Sequence, residues 1–444
     1  KNNLKGVGLW DVNSNNLFRI TWKNNVSSGG YGGVNFLELP STLTGVKARI
    51  FGLVGKFFPT GAHKVGATYG CLAPRLVTGT FDPVSQKAVW PSTGNYCRGG
   101  AYNAKLLGCE SVAILPEEMS RERFEWLKKI GSEVIATPGC ESNVKEIYDK
   151  CWEIKKERGD KVVVFNQFDE FGNGMWHYSV TASAIEEVLK SAMGPKDNFA
   201  GYISATGSAG TIAAGDRLKE LYPHSKIVAS EALQCPTLYN NGYGGHRIEG
   251  IGDKHVPWIH NVKNTDLITA IDDEACMHVM RLFNEAAGLA YLKEKGVSGA
   301  VLENLNLLGI SGISNMLSAV KIAKYYELTE NDILFTIFTD SMEMYQSRLK
   351  EEQDRLGAYN HELAAVDFNR YLAGQDANYV LEMTYQDKKR VHNLKYFTWI
   401  EQQAKEIPEL NAQWYERDYW TSRFRMADEY DRLIKEFNAE VGLL

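Results

Sequence analysis

A lysine among small and apolar residues is the first feature of this sequence that could do chemistry. Residues 58–64, Phe-Pro-Thr-Gly-Ala-His-Lys, break the chain at Pro59 and Gly61 just before a predicted helix that begins near Lys64. His63 is the only other titratable residue of this segment, so the Lys64 amine can lose much of its hydration. Desolvation lowers the pKa of an amine and makes it competent to form a Schiff base. A lone lysine usually faces solvent, so this interpretation depends on its companions.

Two further segments have the composition of anion-binding turns. Residues 91–96, Pro-Ser-Thr-Gly-Asn-Tyr, present hydroxyl and backbone N–H groups where a helix begins, an arrangement suited to a carboxylate. Residues 205–212, Ala-Thr-Gly-Ser-Ala-Gly-Thr-Ile, follow a predicted strand, and their small side chains let successive N–H groups approach a phosphate. The nucleoside-triphosphate and dinucleotide fingerprints are both absent from this segment. Each segment by itself is also compatible with an ordinary cap or turn.

A hydroxyl group follows another apolar strand near residue 340. Ser341 lies three residues beyond the run at residues 333–338, where its hydroxyl can hydrogen-bond a heterocycle nitrogen. Because successive side chains of a strand point to opposite faces, a shift of one residue would turn the Asp340 carboxylate toward the site instead. A helix cap is the ordinary role of such a serine.

The elements that must position these segments alternate between strand and helix from about residue 90 to residue 345. Short apolar runs predict six buried strands, at residues 111–115, 133–137, 162–165, 199–204, 226–230 and 333–338. Residues 143–154 show helical spacing of apolar side chains. This succession predicts parallel strands with crossover helices, the α/β class, in which loops gather ligand groups at one sheet edge. From Gln346 onward, charged and aromatic residues at helical spacing predict a helical appendage without a chemical motif, suited to packing or subunit contact.

Composition excludes several classes of partner. The 444 residues carry a net charge of -6 with both signs interspersed, which gives no reason to expect nucleic acid or a membrane surface. No apolar run is long enough to span a bilayer, and the polar start of the chain lacks a signal-peptide core, so we expect a cytoplasmic protein. The 7 scattered cysteines include no Cys-x-x-Cys pair, which favours reduced thiols and argues against a zinc site; no metal is expected.

Taken in chain order, these segments resemble the fold type II pyridoxal-phosphate enzymes, among them cysteine synthase, cystathionine β-synthase and the tryptophan synthase β subunit. Members carry Pro-Thr-Gly-Ser-x-Lys or Thr-Gly-Ala-His-Lys at the Schiff-base lysine, which matches residues 59–64. They carry Thr-Ser-Gly-Asn-Thr-Gly at the substrate loop, which is similar to residues 92–96. Further resemblances follow in the family's order at residues 115–120, 128–132, 166–168, 207–211, 250–252 with Pro257, and 339–341.

The resemblance implies the cofactor and the residues that hold it. Lys64 would be the catalytic residue that carries pyridoxal 5'-phosphate. The implied cofactor-binding residues are Lys64, His63, Asn95, Gly207, Ser208, Ala209, Gly210, Thr211 and Ser341. The implied substrate-binding residues are Ser92, Thr93, Gly94, Asn95, Tyr96, Gln167 and Gly250. Ser341 would face the pyridine nitrogen, and Asn95 would also contact the ring hydroxyl oxygen.

The resemblance also implies the architecture. It predicts two open parallel-sheet domains with helices on both faces and a C-terminal helical extension. Residues 1–90 and 200–345 would form a large cofactor-binding domain, residues 91–199 a smaller mobile substrate-loop domain, and residues 346–444 the extension. A homodimer or higher homo-oligomer is expected.

The implied activity is β-replacement on a small amino acid of the serine, O-acetylserine, O-phosphoserine or cysteine type, through an aminoacrylate intermediate. A neutral hydroxyl at the pyridine nitrogen favours loss of a β-substituent over racemisation or transamination. A β-elimination lyase, of the cysteine desulfhydrase or ammonia-lyase type, is the alternative, and a binding protein that keeps the fold as a scaffold is a third. Tyr96 in place of a small threonine, and the charges of Asp253, Lys254 and His255, indicate a non-standard substrate.

Overall fold

Two β-sheets organise the computed structural model, which describes residues 4–92, 94–140 and 142–442. Within these residues the strands are β1 Phe36–Leu39, β2 Arg49–Val54, β3 Lys87–Pro91, β4 Ser111–Pro116, β5 Glu133–Thr137, β6 Val162–Val164, β7 Asn198–Ala205, β8 Lys226–Ala232, β9 Leu267–Ile271, β10 Asp332–Phe338 and β11 Val380–Glu382. All six strands predicted from apolar runs are present. The strands that the prediction missed are β1, β2, β3, β9 and β11.

The larger sheet has the strand order β1-β2-β10-β7-β8-β9-β11, and the smaller has the order β5-β4-β3-β6. The smaller sheet is entirely parallel, and the larger is parallel except where its edge strands β1 and β11 pair antiparallel with their neighbours. The smaller sheet takes all its strands from residues 87–164, whereas the larger sheet takes strands from both sides of that segment. The predicted α/β class with two open sheets is confirmed.

Helices cover the faces of both sheets. They are α1 Ser41–Thr44, α2 Lys64–Val77, α3 Asn95–Leu106, α4 Arg121–Ile130, α5 Val144–Arg158, α6 Phe171–Trp176, α7 Ala182–Ala192, α8 Ala213–Leu221, α9 Thr237–Asn240, α10 Asp273–Asn284, α11 Ala286–Glu294, α12 Gly299–Leu302, α13 Ile310–Tyr325, α14 Gln346–Leu356, α15 His361–Asp367, α16 Tyr385–Lys395, α17 Ile407–Tyr415 and α18 Tyr419–Glu440. A π-helical segment, His177–Thr181, joins α6 to α7. No helix of the described residues has the length and apolar character needed to cross a membrane.

Helix α2, which carries Lys64 at its first position, is held by unusually close backbone contacts. A Cβ atom added at Gly66 would overlap the ring of Trp176, and one added at Gly70 would overlap the carbonyl oxygen of Gly172. Glycine therefore lets α2 pack directly on α6. Since close-packed interiors resist displacement, this contact limits where Lys64 can lie.

The C-terminal extension is more than a set of surface helices. It contributes β11, which pairs with β9 at the edge of the larger sheet. Its Trp399 is fully buried in a cluster with Tyr148 of α5 and with Phe168 and Trp258. The extension therefore packs against residues that follow strands of both sheets.

Candidate active site

A pocket lies where loops that follow strands of both sheets meet the first residues of α2 and α3. Its lining consists of Lys64, Ser92, Asn95, Tyr96, Gln167, Phe168, Gly207, Ser208, Gly250, Ile251, Gly252 and Thr339. Eight of these were predicted as site residues: Lys64, Ser92, Asn95, Tyr96, Gln167, Gly207, Ser208 and Gly250. Thr93 lies outside the described residues. Parallel strands explain the convergence, because their carboxyl ends share one edge of each sheet.

The Lys64 amine faces the loop that follows β7. Its Nζ donates a hydrogen bond to Ser208 Oγ at 3.2 Å. Burial lowers the pKa of Lys64 to about 8, and no acidic side chain is present among the described residues that line the pocket. The uncharged fraction of this amine near neutral pH is therefore much larger than that of an ordinary lysine, whose pKa is about 10.4, and only the uncharged form can act as a nucleophile or a base.

The loop at residues 207–211 has the donors of a phosphate site. Within the described chain, none of its five backbone N–H groups donates a hydrogen bond to a protein acceptor. The loop leads into α8, whose N-terminal dipole favours an anion. Ala209 has a φ of 59°, in the left-handed region where glycine is preferred. Glycine would adopt this conformation without steric cost, so alanine at position 209 leaves the loop strained.

Asn173 connects the loop at residues 207–211 to Gln167, another residue of the pocket lining. Its Nδ2 donates to Ser208 Oγ and to the Gln167 carbonyl oxygen, both at 3.0 Å. A Cβ atom at Gly210 would overlap the Asn173 side chain, so only glycine fits there. Asn173 was not among the predicted site residues, because no local pattern marks a residue whose partner Ser208 lies 35 positions away.

The turn before α3 shapes the other side of the pocket. The backbone N–H of Gly94 donates to Ser92 Oγ at 3.0 Å, and Gly94 has a φ of 148°. A side chain at Gly94 would overlap Arg123. The turn therefore places the N-terminus of α3, a helix of 12 residues, beside the pocket, where it can attract a carboxylate.

Tyr96 narrows the pocket without offering its hydroxyl group to it. The Tyr96 hydroxyl donates to Cys71 Sγ at 3.3 Å, and its ring contacts Trp90 edge to face. Only the body of the ring is left to line the pocket. A larger residue at the place of the family's threonine thus reduces the space available to a ligand.

A buried polar network lies directly behind Asn95. Asp340 Oδ2 accepts hydrogen bonds from Asn95 Nδ2 at 2.6 Å and from the Tyr345 hydroxyl at 2.7 Å. Arg123 donates to the same hydroxyl at 3.0 Å and forms an ion pair with the buried Glu249. Burial raises the pKa of the Asp340 carboxyl, while Arg123 and the two hydrogen bonds oppose that shift. The network fixes the Asn95 amide by contacts that span the two sheets.

The structure does not bring Ser341 to this pocket. Ser341 is buried, its Oγ has no hydrogen-bond partner among the described residues, and it lines a separate cavity with Lys56 and Glu343. Thr339 lines the Lys64 pocket instead. The chain turns away after β10 through a 3-10 turn, Met342–Met344, so the side chain two residues before Ser341 faces the pocket.

His63 also lies outside the pocket lining. Its ring is fully buried against Trp22 and His177, and its Nε2 lies 3.2 Å from Thr339 Oγ1. Burial and the neighbouring Lys64 lower its pKa well below the usual range. A neutral His63 therefore supports Thr339 from behind. Gly210, Ala209 and Thr211 belong to the phosphate loop but do not line the pocket themselves.

The sequence matches the family model described as pyridoxal-phosphate dependent enzyme over residues 28–309, more than half of the chain. A probable cysteine synthase of Bacillus subtilis is 27% identical over 301 residues, which is 68% of this chain and 89% of that protein. The cystathionine beta-synthase of Saccharomyces cerevisiae is 25% identical over 325 residues, 71% of this chain and 60% of that protein.

A solved structure has a similar fold. The O-acetyl serine sulfhydrylase isoform 3 of Entamoeba histolytica superposes with a TM-score of 0.62 at 23% identity. The superposition covers 77% of this chain and 94% of the other. The phosphate loop and the uncharged fraction of the Lys64 amine fit a cofactor that carries both a phosphate and an aldehyde.

The strain at Ala209 leads to a stability prediction. Ala209→Gly should raise the free energy of unfolding by about 0.5–1 kcal/mol, because the left-handed region costs an alanine more than the glycine loses in entropy. Ala214→Gly, within α8, is the matched control and should lower it by about 1 kcal/mol or more. Urea unfolding monitored by circular dichroism measures both. Equal destabilisation by the two changes would contradict the strained loop.

Two adjacent residues after β10 should lose very different amounts of stability when they are truncated to alanine. Asp340→Ala removes the acceptor of Asn95 and Tyr345 and leaves two buried donors without it, so it should cost about 3 kcal/mol of stability. Ser341→Ala should change stability by less than about 1 kcal/mol, since its hydroxyl has no hydrogen-bond partner in the described parts of the chain. Chemical unfolding of both variants tests this order. A larger loss for Ser341→Ala would mean that the strand end faces the other way.

Proposed function

The chain belongs to the pyridoxal-phosphate dependent enzymes, and from this premise we propose that it catalyses β-replacement on a small amino acid, in the manner of a cysteine synthase. The observation that carries the proposal is the contact of the Lys64 amine with Ser208, in a loop whose backbone N–H groups have no acceptor among the described residues. One pocket thus combines a reactive amine with a phosphate site. The cysteine synthase and cystathionine beta-synthase names of the relatives support reaction at Cβ.

Two parts of the chain would hold the cofactor. Lys64 would bind it covalently, and the N–H groups of residues 207–211 would bind its phosphate. Asn95, fixed by Asp340, would contact the ring system, and Thr339 offers the hydroxyl group that the sequence analysis expected from Ser341. When bound, pyridoxal phosphate supplies an electron sink for the negative charge that develops at Cα.

Lys64 is also the residue suited to move the α-proton. A base works best when its pKa lies near the operating pH, and burial brings the pKa of Lys64 to about 8. Ser208 Oγ accepts a hydrogen bond from Nζ and so orients the amine. Asn173, which donates to the same oxygen, holds Ser208 in place. Lys64 Nζ would take the proton from Cα and could return one later.

The other pocket residues would select the substrate. Ser92, Gln167 and the N-terminus of α3 would bind the substrate carboxylate, and the rings of Tyr96 and Phe168 would exclude water from Cβ. Lys64 is the only charged side chain among the described residues of the lining. These lining residues therefore offer no further positive charge that could bind the phosphate group of O-phosphoserine. We accordingly propose a small, uncharged β-substituent, as in serine, O-acetylserine or cysteine, in preference to O-phosphoserine.

Product analysis with the holoenzyme tests the reaction. With O-acetylserine and sulfide, cysteine should form much faster than pyruvate, whereas O-phosphoserine should react slowly. Pyruvate and ammonia formed at one rate with or without sulfide would instead identify a β-elimination lyase. If no amino acid of the serine and cysteine series is consumed, reaction at Cβ is excluded.

The pKa of Lys64 gives a pH dependence. Only the free amine reacts with an aldehyde, so cofactor uptake by the apoprotein should accelerate as pH rises through about 8 and level off above it. An ordinary surface lysine would show no plateau below pH about 10. Stopped-flow absorbance measures the rate.

Lys64→Ala should abolish the visible absorption of the bound cofactor. Exposed Lys47→Ala is the control and should leave that absorption unchanged. In the wild-type holoenzyme, borohydride reduction followed by peptide mapping should locate the pyridoxyl group on Lys64. A label on another lysine would refute the assignment.

A further inference from the structure

The C-terminal extension contains a lysine that is fully buried without an acidic partner. Lys395, the last residue of α16, is 0% exposed. Its Nζ donates to the carbonyl oxygens of Trp258 and His260, at 2.9 and 2.7 Å, and to Gln413 Oε1 at 2.7 Å. The face of Trp420 lies 5.0 Å from the same nitrogen. No ion pair involves Lys395 within the described part of the chain.

This surrounding matches an ammonium ion. An ammonium group has three N–H donors and no acceptor. Three acceptor oxygens are arranged around Nζ. Burial lowers the pKa of Lys395 well below its usual range. Three hydrogen-bond acceptors and an aromatic face at Nζ oppose this shift and favour the charged form. We call these three oxygens and the Trp420 ring the cage. All of its groups are neutral, as in a binding site for a monovalent cation, and the Lys395 ammonium group occupies it.

Two of the three oxygens belong to the segment that continues from the pocket. Residues 253–260 follow Gly250, Ile251 and Gly252 and contain neither helix nor strand. The extension makes one more hydrogen bond to this segment. Trp399 Nε1 donates to the Val256 carbonyl oxygen at 2.8 Å.

Backbone hydrogen bonds also connect residues 252–260 to the pocket lining and to the residue before it. The backbone N–H of Ile259 donates to the carbonyl oxygen of Phe168 at 3.4 Å, and Phe168 lines the pocket. Gly252, at the other end, donates its N–H to the Thr206 carbonyl oxygen at 2.8 Å. A displacement of residues 253–260 would therefore move pocket-lining groups on two sides.

We propose that Lys395 is a positioning residue, a tethered cation that clamps residues 253–260 and so holds Gly250–Gly252 and Phe168 against the substrate. The extension is then a working part of the site, although it supplies no side chain to the pocket lining. Removal of the Lys395 side chain should open a cage that binds free ammonium or potassium ions. The clamp itself is independent of the proposed function, and only its effect on KM rests on that function.

The test compares Lys395→Ala holoenzyme in tetramethylammonium chloride and in ammonium chloride at equal ionic strength. In tetramethylammonium, which is too large for the cage, hydrogen exchange of residues 253–260 and the KM for the amino acid should each rise about tenfold, as expected when one charge-assisted hydrogen bond is lost. Ammonium should restore both toward the wild-type values. Wild-type protein should respond equally to the two salts.

Matched variants separate the clamp from general packing. Lys389→Ala removes a lysine of the same helix that lies above the rings of Trp414 and Tyr415, and it should change neither readout. Gln413→Leu removes one cage oxygen and should raise exchange of residues 253–260 by less than Lys395→Ala does.

Three results would overturn the proposal. The first is hydrogen exchange of residues 253–260 in Lys395→Ala at the wild-type rate. The second is faster exchange in Lys395→Ala that ammonium slows no more than tetramethylammonium does. If Lys395→Ala does not fold in either salt, the third is unchanged exchange of these residues in Gln413→Leu. Failure of the proposed reaction would appear in the wild type as absence of product. The exchange readout would still report on the clamp in that case.

Discussion

Burial of the Lys64 amine without an acidic partner is the constraint on which the rest of the site depends. A carboxylate beside the amine would keep it charged and unreactive, so the pocket surrounds it with hydroxyl, amide and backbone groups. The position of the amine is then set by packing, through the glycines that let α2 approach α6. Ser208 is the one polar contact of Nζ among the described residues, and it connects the amine to the phosphate loop.

Charged groups are present close by, but they are kept behind the lining and paired there. Arg123 and Glu249 form a buried ion pair between α4 and the loop before Gly250, while Asp340 binds Asn95 from the end of β10. Such pairs add little net stability, but breaking one is costly, so they specify geometry. They hold the segment that follows β3 in a defined position against the larger sheet.

The C-terminal extension also helps to fix the position of the elements around the pocket, although it packs at the edge of the larger sheet. It adds an edge strand to the larger sheet and buries Trp399 between elements that follow both sheets. Its hydrogen bonds to residues 253–260 are made to backbone oxygens. A segment without helix or strand leaves its carbonyl groups unsatisfied, and donors from the extension supply what secondary structure would otherwise provide.

The sequence by itself determined the α/β class and the six apolar strands, because apolar runs and the alternation of strand and helix are visible along the chain. It also predicted Lys64 and residues 207–211 as parts of a site, and the structure brings Lys64, Gly207 and Ser208 to one pocket. The local pattern also marked residues 339–341 as a strand end, but it could not tell which of them faces the pocket. Only the tertiary structure decided that Thr339 lines it, that Asp340 binds Asn95, and that Ser341 faces another cavity. Asn173 and Lys395 were equally invisible, since their partners lie far along the chain. Periodicity records which residues are buried, whereas the direction of a side chain beyond a strand end depends on the long-range packing that turns the chain.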